Sequence, residues 1–395
     1  MPLPKFTKES SHSDLSRIGS GEIGEKAAGL LLLQSMAGEL PSSDDARVYV
    51  PNAVVLTSEV FQNFIEHNEL ATTIEAAEHN KSPSFDSEIL RLFLESEFPS
   101  DDAIQLRDLL TLFKSPIAVR PSSVLATRLE YPFSGVYGSK LLSNTSTDED
   151  ARVIALQQAI KAVYATVFYF NAGEYLRSIG EYHARDEKLA IIIQELAGRR
   201  FGDLYHPCVS GVARSFNYYV TGHALPEDGM ADIALGLGRT ILDGENVWTY
   251  CPRYPKSPPP VATIDAMLDA GQTRYWSLRI DDDSSEEDLV ELAVGTADKN
   301  LLAQLVSTYD ADSDRLVHGL SKRGAQLLDF SPLLQLEISS FNDVLRSALD
   351  AAANLAGHAV ELEVSVTWDP HDPRSMEFAL IQVNSMRINR EEVSI

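Results

Sequence analysis

Two segments near the C-terminal end restrict the fold most: AVELEVSVTW (359–368) and MEFALIQVNSM (376–386). The first alternates strictly between apolar and polar residues, the period of a strand with one buried face. That period puts Glu361 and Glu363 on the same side. The second reads as another strand, and the turn-rich DPHDPR (369–374) joins the two. The pair predicts an antiparallel hairpin bearing a carboxylate stripe, with Gln382 adding a neutral oxygen from the adjacent strand. Such oxygens facing a polyphosphate suit Mg²⁺, which binds few protein groups and takes its other ligands from phosphate and water. An amphipathic hairpin with a merely solvated polar stripe has the same pattern.

The remaining segments mix helix and strand without regular alternation. EKAAGLLLLQSM (25–36) is an Ala/Leu-rich helix with Gly24 or Ser20 near its start. RVYVPNAVVLT (47–57) reads as strand, break at Pro51, strand, and Ser58 caps a following helix. Residues 70–114 are helical. SPIAVRPSS (115–123) is a short β-branched strand, and FSGVYGSKLLSN (133–144) alternates like a hairpin. One or two long helices follow from Asp148, then a buried strand KLAIIIQEL (188–196) and further strands within 210–222 and 230–238. KSPPPVAT (256–263) is a proline-stiffened connection. The acidic run DDDSSEEDLVELAV (281–294) predicts a solvated loop leading into a helix N-terminus. Phe341 to Leu355 is an amphipathic helix stopped by Gly357. The order predicts a mixed α+β chain and argues against a doubly wound sheet throughout.

A net charge of −25 argues against sequence-independent binding of nucleic acid and against anionic membrane surfaces. Any site for a polyanion must be a local basic pocket in an acidic body. The two cysteines, Cys208 and Cys251, form no CxxC pair, which argues against a zinc cluster and fits a reducing compartment. The N-terminal MPLPKFTKESSHSD has no apolar signal core, and apolar runs such as LLLL (30–33) are far shorter than a membrane span. The expectation is a cytoplasmic protein with neither nucleic acid nor membrane as partner.

Three short stretches carry candidate chemistry. GSGEIGEKA (19–27) matches the spacing of G-x-G-x-x-G, but only Ile18 before it is strand-like, as a dinucleotide site would need. It also has P-loop glycine spacing, with Glu25 where the Lys belongs and no following Ser or Thr. What remains is a glycine turn leading into a helix with Lys26 in its first turn. AVRPSS ends a strand on Arg120, whose guanidinium suits bidentate phosphate contact, with two hydroxyls beside it. PFSGVYG offers a tip whose backbone N–H groups can approach phosphates. Each stretch alone also fits an ordinary cap, ion pair or hairpin.

Together and in order, these segments resemble the N-terminal nucleotide-binding domain of phosphoenolpyruvate synthase and pyruvate phosphate dikinase, in the branch of PEP/pyruvate-binding-domain proteins. IGEKAAGL is similar to the family's GGKxxxL, VPNAVVLTSEVFQNFI to P-x-G-F-V-(V/L)-T, and AVRPSSVLATRLEYPFSGVY to VRSSxxxED…(P/S)FAGxY. IIIQEL…SGVARS, ALGLGRTILDG, AGHAVELEVSV and ALIQVNSMR resemble its later motifs in the same order. The resemblance spans about residues 17–390. It implies an ATP-grasp-like two-lobed domain: a flexible lead-in over 1–16, an N-terminal lobe over 17–187 and a C-terminal lobe with a metal-binding hairpin over 188–395. By position it implies phosphate contacts from Lys26 and Arg120, and a loop over the phosphates at Ser134, Gly135 and Val136. Gln194, Glu195 and Leu196 would edge the adenine. Glu363 and Gln382 would hold Mg²⁺, with Glu361 close by. ATP and Mg²⁺ are the implied cofactors.

The chain departs from the family pattern at three places. Ala126-Thr127 replace a Glu-Asp pair, Arg239 stands where a Glu often follows GLG, and Asn384 replaces the Arg of Q-x-R-P. Arg387 lies three residues on, an odd offset that reaches the same face only across a bulge. These departures bear on phosphoryl transfer more than on nucleotide binding. None of the nine His lies in a segment like the family's swivelling-His carrier; His358 and His371 flank the hairpin. The resemblance therefore implies a standalone phosphotransferase domain or subunit, acting on a separate His-carrying phosphotransfer subunit or on a small-molecule acceptor. The other readings are a non-catalytic nucleotide-binding regulatory module and an ATP-grasp ligase that makes an acyl phosphate.

Overall fold

The computed structural model describes residues 15–38, 40, 46–79, 82–129, 133, 135–180, 183–220, 223–257, 263–280, 288–321 and 323–386. Two large sheets organise them. The first runs Ser16–Ile18, Ala53–Leu56, Ala190–Glu195, Ile117–Ser122, Lys140–Leu142. The second runs Trp248–Tyr250, Met230–Ala234, Val209–Arg214, Val360–Asp369, Asp372–Ser385, Ala46–Tyr49. Two smaller sheets, of four and three strands, pack beside the second.

The five-stranded sheet is the wall between two cores. On its central strand Ile191 and Ile193 belong to a core rich in aromatic side chains, with Phe61, Phe64, Phe93 and Tyr164. Ala190 and Ile192, pointing the other way, join the larger core of the second sheet. A strand with apolar residues on both sides needs burial on both sides. That demand moves the lobe boundary. The expected division at 187/188 falls just before Ala190–Glu195, the middle strand of the first sheet. Ala46–Tyr49, expected in the first lobe, is instead the edge of the second sheet, so Pro51 marks the point where the chain changes sheets.

The hairpin forms as its alternation predicts. Val360, Leu362, Val364 and Val366 are buried in the larger core, under the helices Gly24–Ala37 and Phe341–Ala356. Glu361, Glu363 and Ser365 take the opposite face. Glu363 pairs directly with Gln382, and Glu361 with Asn384. The register shifts between Glu363 and Val364, leaving Ile381 as the extra residue.

Three local expectations are corrected. The lead-in is shorter than 1–16, because Leu15 is buried and Ser16 starts a strand parallel to Ala53–Leu56. Residues 133–144 do not form a hairpin of their own; the described part is a loop followed by Lys140–Leu142, which pairs with Ile117–Val119. After the acidic run, whose residues 281–287 lie outside the described set, Leu289–Ala293 is a strand rather than a helix start, because it pairs with Arg274–Leu278. The connection 256–263 lies mostly outside the described residues. Among the described residues no single helix is long and apolar enough to cross a membrane.

The glycine stretch is a packing device. Five of the amide donors in 19–27 are already used inside the protein. Ser20 N donates to Glu59, Gly21 N to Thr57 Oγ1 at 3.1 Å and Glu22 N to Ser58 Oγ at 3.0 Å. Glu25 N donates to the Ser123 carbonyl at 3.0 Å and Ala27 N to Ser122 Oγ at 3.1 Å. Gly24 has φ +72°, and a Cβ there collides with the Ser122 backbone. Gly24→Ala is expected to cost about 2–4 kcal/mol, from left-handed strain plus overpacking. Gly135→Ala, at φ +76° in open space, should cost only about 1 kcal/mol. Thermal unfolding of the two variants checks the difference.

Candidate nucleotide site

The site lies where the two sheets face each other. Arg120 reaches from the first sheet to the hairpin of the second. Its Nη2 donates to Glu363 Oε2 at 2.9 Å and to Gln382 Oε1 at 2.6 Å, while Nη1 donates to Gln194 Oε1 at 3.1 Å. Four residues that sequence placed in the site thus meet on one guanidinium. The Arg120 and Glu363 side chains are only 14% and 16% exposed, so the ion pair is screened little by water. Gln382 passes the chain on, donating from Nε2 to Asn384 Oδ1 at 2.6 Å.

Lys26 projects from the first turn of the helix Gly24–Ala37 into the same electrostatic environment. Loss of water around the ammonium, and then the nearby Arg120 charge, bring its pKa down to about 8, with Glu363 and Glu25 acting in the opposite direction. Glu25 is shifted upward by burial, partly offset by Lys26. Lys26 and Arg120 repel one another with only Glu363 and Glu25 to offset them, a conflict that an anion relieves.

A cavity of about 380 Å³ opens beside this cluster. Arg120, Gln194, Glu363 and Arg239 line it along with Leu141, Leu196, Leu237 and Leu289. A mostly apolar wall with a few convergent charges at one end suits a base and its phosphates.

The other sequence-predicted residues are placed as follows. Glu195 and Leu196 line the cavity. The Glu195 carboxylate, however, accepts from Ser115 Oγ and, at 3.0 Å, from Asn52 Nδ2. Glu361 shares the hairpin face of Glu363 but pairs with Arg214 Nε at 2.8 Å. Arg214 also holds Asp232 at 2.6 Å, and Thr249 Oγ1 donates to that carboxylate. Gly135 is exposed and Val136 half-buried, and neither lines the cavity; Ser134 and Arg387 lie outside the described residues. The exposed His358 engages Ala359 O through Nδ1 and Ser385 Oγ through Nε2.

The hydroxyls of AVRPSS are taken up by partners within the protein. Ser122 Oγ accepts from Ala27 N and donates to Ile23 O, so it caps the Lys26 helix from a distant strand. Ser123 Oγ donates to Glu187 Oε2 at 2.5 Å, on a buried carboxylate that also accepts from Val124 N, Leu125 N and Tyr137 OH. Burial of both serines forces this internal pairing. Sequence reasoning also passed over Arg214, Asp232 and Trp276. None of the three lines the cavity, and nothing local marks them: strand pairing sets Arg214 between Glu361 and Asp232, and Trp276 lies under Arg239.

The residues present suit a divalent ion. Glu363 Oε2 and Gln382 Oε1 converge on one cationic nitrogen, so the space between them is built for positive charge. One carboxylate and one amide oxygen are a hard donor set that leaves other positions to phosphate and water. Among the described residues no group of three or more His, Cys, Asp or Glu is arranged to hold a metal unaided.

A mixed α+β chain with a charged cleft between two sheets is an ATP-grasp-like nucleotide-binding domain. Residues 20–270 match the family model "Pyruvate phosphate dikinase, AMP/ATP-binding domain", and the chain belongs to that family. The match contains Lys26, Arg120, Gln194 and Glu195, while the hairpin with Glu363 and Gln382 lies beyond it. No curated protein matches the chain.

A Lys26 pKa near 8 has a consequence for stability. The group is depressed below the ordinary lysine value, so between pH 8 and about 10.5 the unfolded chain holds a proton that the folded chain has released. Folding stability contributed by this group therefore rises with pH across that window. Lys26→Met should unfold at a higher temperature than the parent at pH 7, with the gap closing by pH 10. Thermal melts across the pH series read both.

Proposed function

We propose that this chain binds Mg·ATP in the cleft and acts as a phosphotransferase of the phosphoenolpyruvate synthase/pyruvate phosphate dikinase type. The acceptor is a His on a separate carrier subunit or a small molecule. The observation that carries this reading is the convergence of Arg120, Gln194, Glu363 and Gln382, with Lys26 nearby, beside a mostly apolar cavity that the first three line.

In this reading Leu196 and the strand Ala190–Glu195 edge the adenine. Lys26 and Arg120 bind phosphate oxygens and spread the charge that builds up on the transferred group, the main catalytic lever in this chemistry. Mg²⁺, held by Glu363 and Gln382, would neutralise further polyphosphate charge. Glu361 stays with Arg214 in the next row of the sheet. The Gly135–Val136 loop and Arg387 are assigned to the phosphates by family position alone.

Asn384 favours a second reading, a nucleotide-binding module without turnover. It stands where the family carries an Arg, and its Oδ1 is already used by Gln382. ³¹P NMR of the protein with Mg·ATP separates the readings. AMP plus phosphate marks dikinase chemistry, and ADP alone marks direct transfer. Stabilisation by ATP without turnover marks the module. Absence of stabilisation by any nucleotide contradicts both.

The Lys26 shift predicts a pH dependence of binding. A bound phosphate favours the protonated amine, so binding takes up a proton above pH 8, and ATP affinity should fall by up to about tenfold per pH unit. Below pH 8 it should be flat on account of this group. Lys26→Met should bind ATP more weakly and lose the alkaline fall. Calorimetric titrations at pH 7, 8 and 9 measure it.

A further inference from the structure

One buried carboxylate joins the segments that carry the proposed phosphate contacts. Glu187 is 2% exposed and accepts five hydrogen bonds, all from uncharged donors. Its Oε1 takes Val124 N at 3.0 Å, Leu125 N at 3.1 Å and the backbone amide of Lys188 at 3.1 Å. Its Oε2 takes Ser123 Oγ at 2.5 Å and Tyr137 OH at 2.9 Å. Burying a carboxylate is costly, and an apolar side chain of similar size in such a place is often as stable or more so. Stability alone therefore does not account for an acid here.

Strand pairing brings Glu187 to this place. Ile117–Ser122 and Ala190–Glu195 run antiparallel, with Ser122 opposite Ala190. The chain just beyond Ser122 therefore runs beside the chain just ahead of Ala190, and Glu187 meets the turn Ser123–Leu125. Each of its partners leads to a residue proposed for the phosphates. Ser123 follows the strand that carries Arg120. Its carbonyl accepts from Glu25 N at 3.0 Å, and Lys26 is the next residue. Tyr137 ends the turn in which Val136 N donates to Phe133 O at 3.3 Å, and Gly135 at the tip has open space around it. The Tyr137 ring also packs against Phe133, with centroids 5.9 Å apart. The base of that turn is thus fixed while its tip is free to meet a ligand.

We propose that Glu187 is a positioning residue for the nucleotide phosphates. It holds the Lys26 helix, the end of the Arg120 strand and the turn at Gly135 in one register, so that their phosphate contacts are made together. The proposal rests on the nucleotide-binding reading of the cleft. Glu187 acts through these segments and touches no ligand itself. Its effect is on the phosphates and not on the base, because each segment it joins is assigned to phosphate.

Calorimetric titration of the full chain with ATP and with adenosine, which has no phosphate, tests this. Glu187→Gln keeps the shape but sets an amide donor against donors that the carboxylate accepts. Its ATP affinity is expected to fall about tenfold with adenosine affinity unchanged. Tyr137→Phe cuts only the tie to the turn and leaves the carboxylate its other donors. It should weaken ATP about threefold and again leave adenosine unchanged. Adding Tyr137→Phe to Glu187→Gln should change little more, because Tyr137 acts through Glu187. Thermal melts identify the folded variants, and Tyr137→Phe carries the test if Glu187→Gln does not fold. An unchanged ratio of ATP to adenosine affinity in a folded variant overturns the proposal and leaves the nucleotide site intact. An equal loss for both ligands also overturns it, since that marks a purely structural role. If the parent binds neither ATP nor adenosine, the nucleotide-binding reading falls, and the proposal with it.

Discussion

The ion pair between Arg120 and Glu363 is the contact on which the cleft depends. It is the point where a strand of the first sheet touches the hairpin of the second through charged groups. Gln194 and Gln382 complete it with neutral oxygens from each side. A guanidinium offers several donors in one plane, so a single side chain satisfies three acceptors on two sheets. Without a cation there, a mostly buried carboxylate would face amide oxygens with no donor between them, at a cost of several kcal/mol.

The same cluster sets stability against binding. Lys26 is held beside Arg120 with too little water to offset the repulsion, and its lowered pKa records the conflict. The helix that carries it is anchored regardless. Ser122 and Ser123 cap it, Gly24 lets it approach the strand, and Ala27, Leu30 and Leu33 bury its other face. The apolar burial of that helix stabilises what the charge destabilises. An anion in the cleft would relieve both cations at once, which suits a site of desolvated positive charge to the phosphates proposed for it within a chain of net charge −25.

Much of the site was legible because strand alternation is a local code. The period of AVELEVSVTW fixes Glu361 and Glu363 on one face, and pairing with the next strand brings Gln382 opposite Glu363. Lys26 and Arg120 stand in local stretches that fit an ordinary cap and an ion pair equally well, so only the family resemblance chose between the two readings. The lobe boundary was not legible. Ala190–Glu195 reads as a buried strand, but which sheet buries it depends on partners about 70 to 140 residues away. The serines of AVRPSS were misread for the same reason. Their acceptors and donors, Ala27 and Glu187, are distant in sequence. The glycines of GSGEIG matched a phosphate motif because close backbone packing and phosphate cradling both need a missing side chain. The occupied amides distinguish the two.

The central claim is that Glu363 and Gln382 face a cation site which ATP and a divalent ion share with Arg120. Titrating ATP with and without Mg²⁺, in the parent and in Glu363→Gln, tests it most directly. The account predicts that Mg²⁺ tightens ATP binding in the parent and that Glu363→Gln removes most of this linkage. Equal Mg²⁺ linkage in both proteins would contradict it.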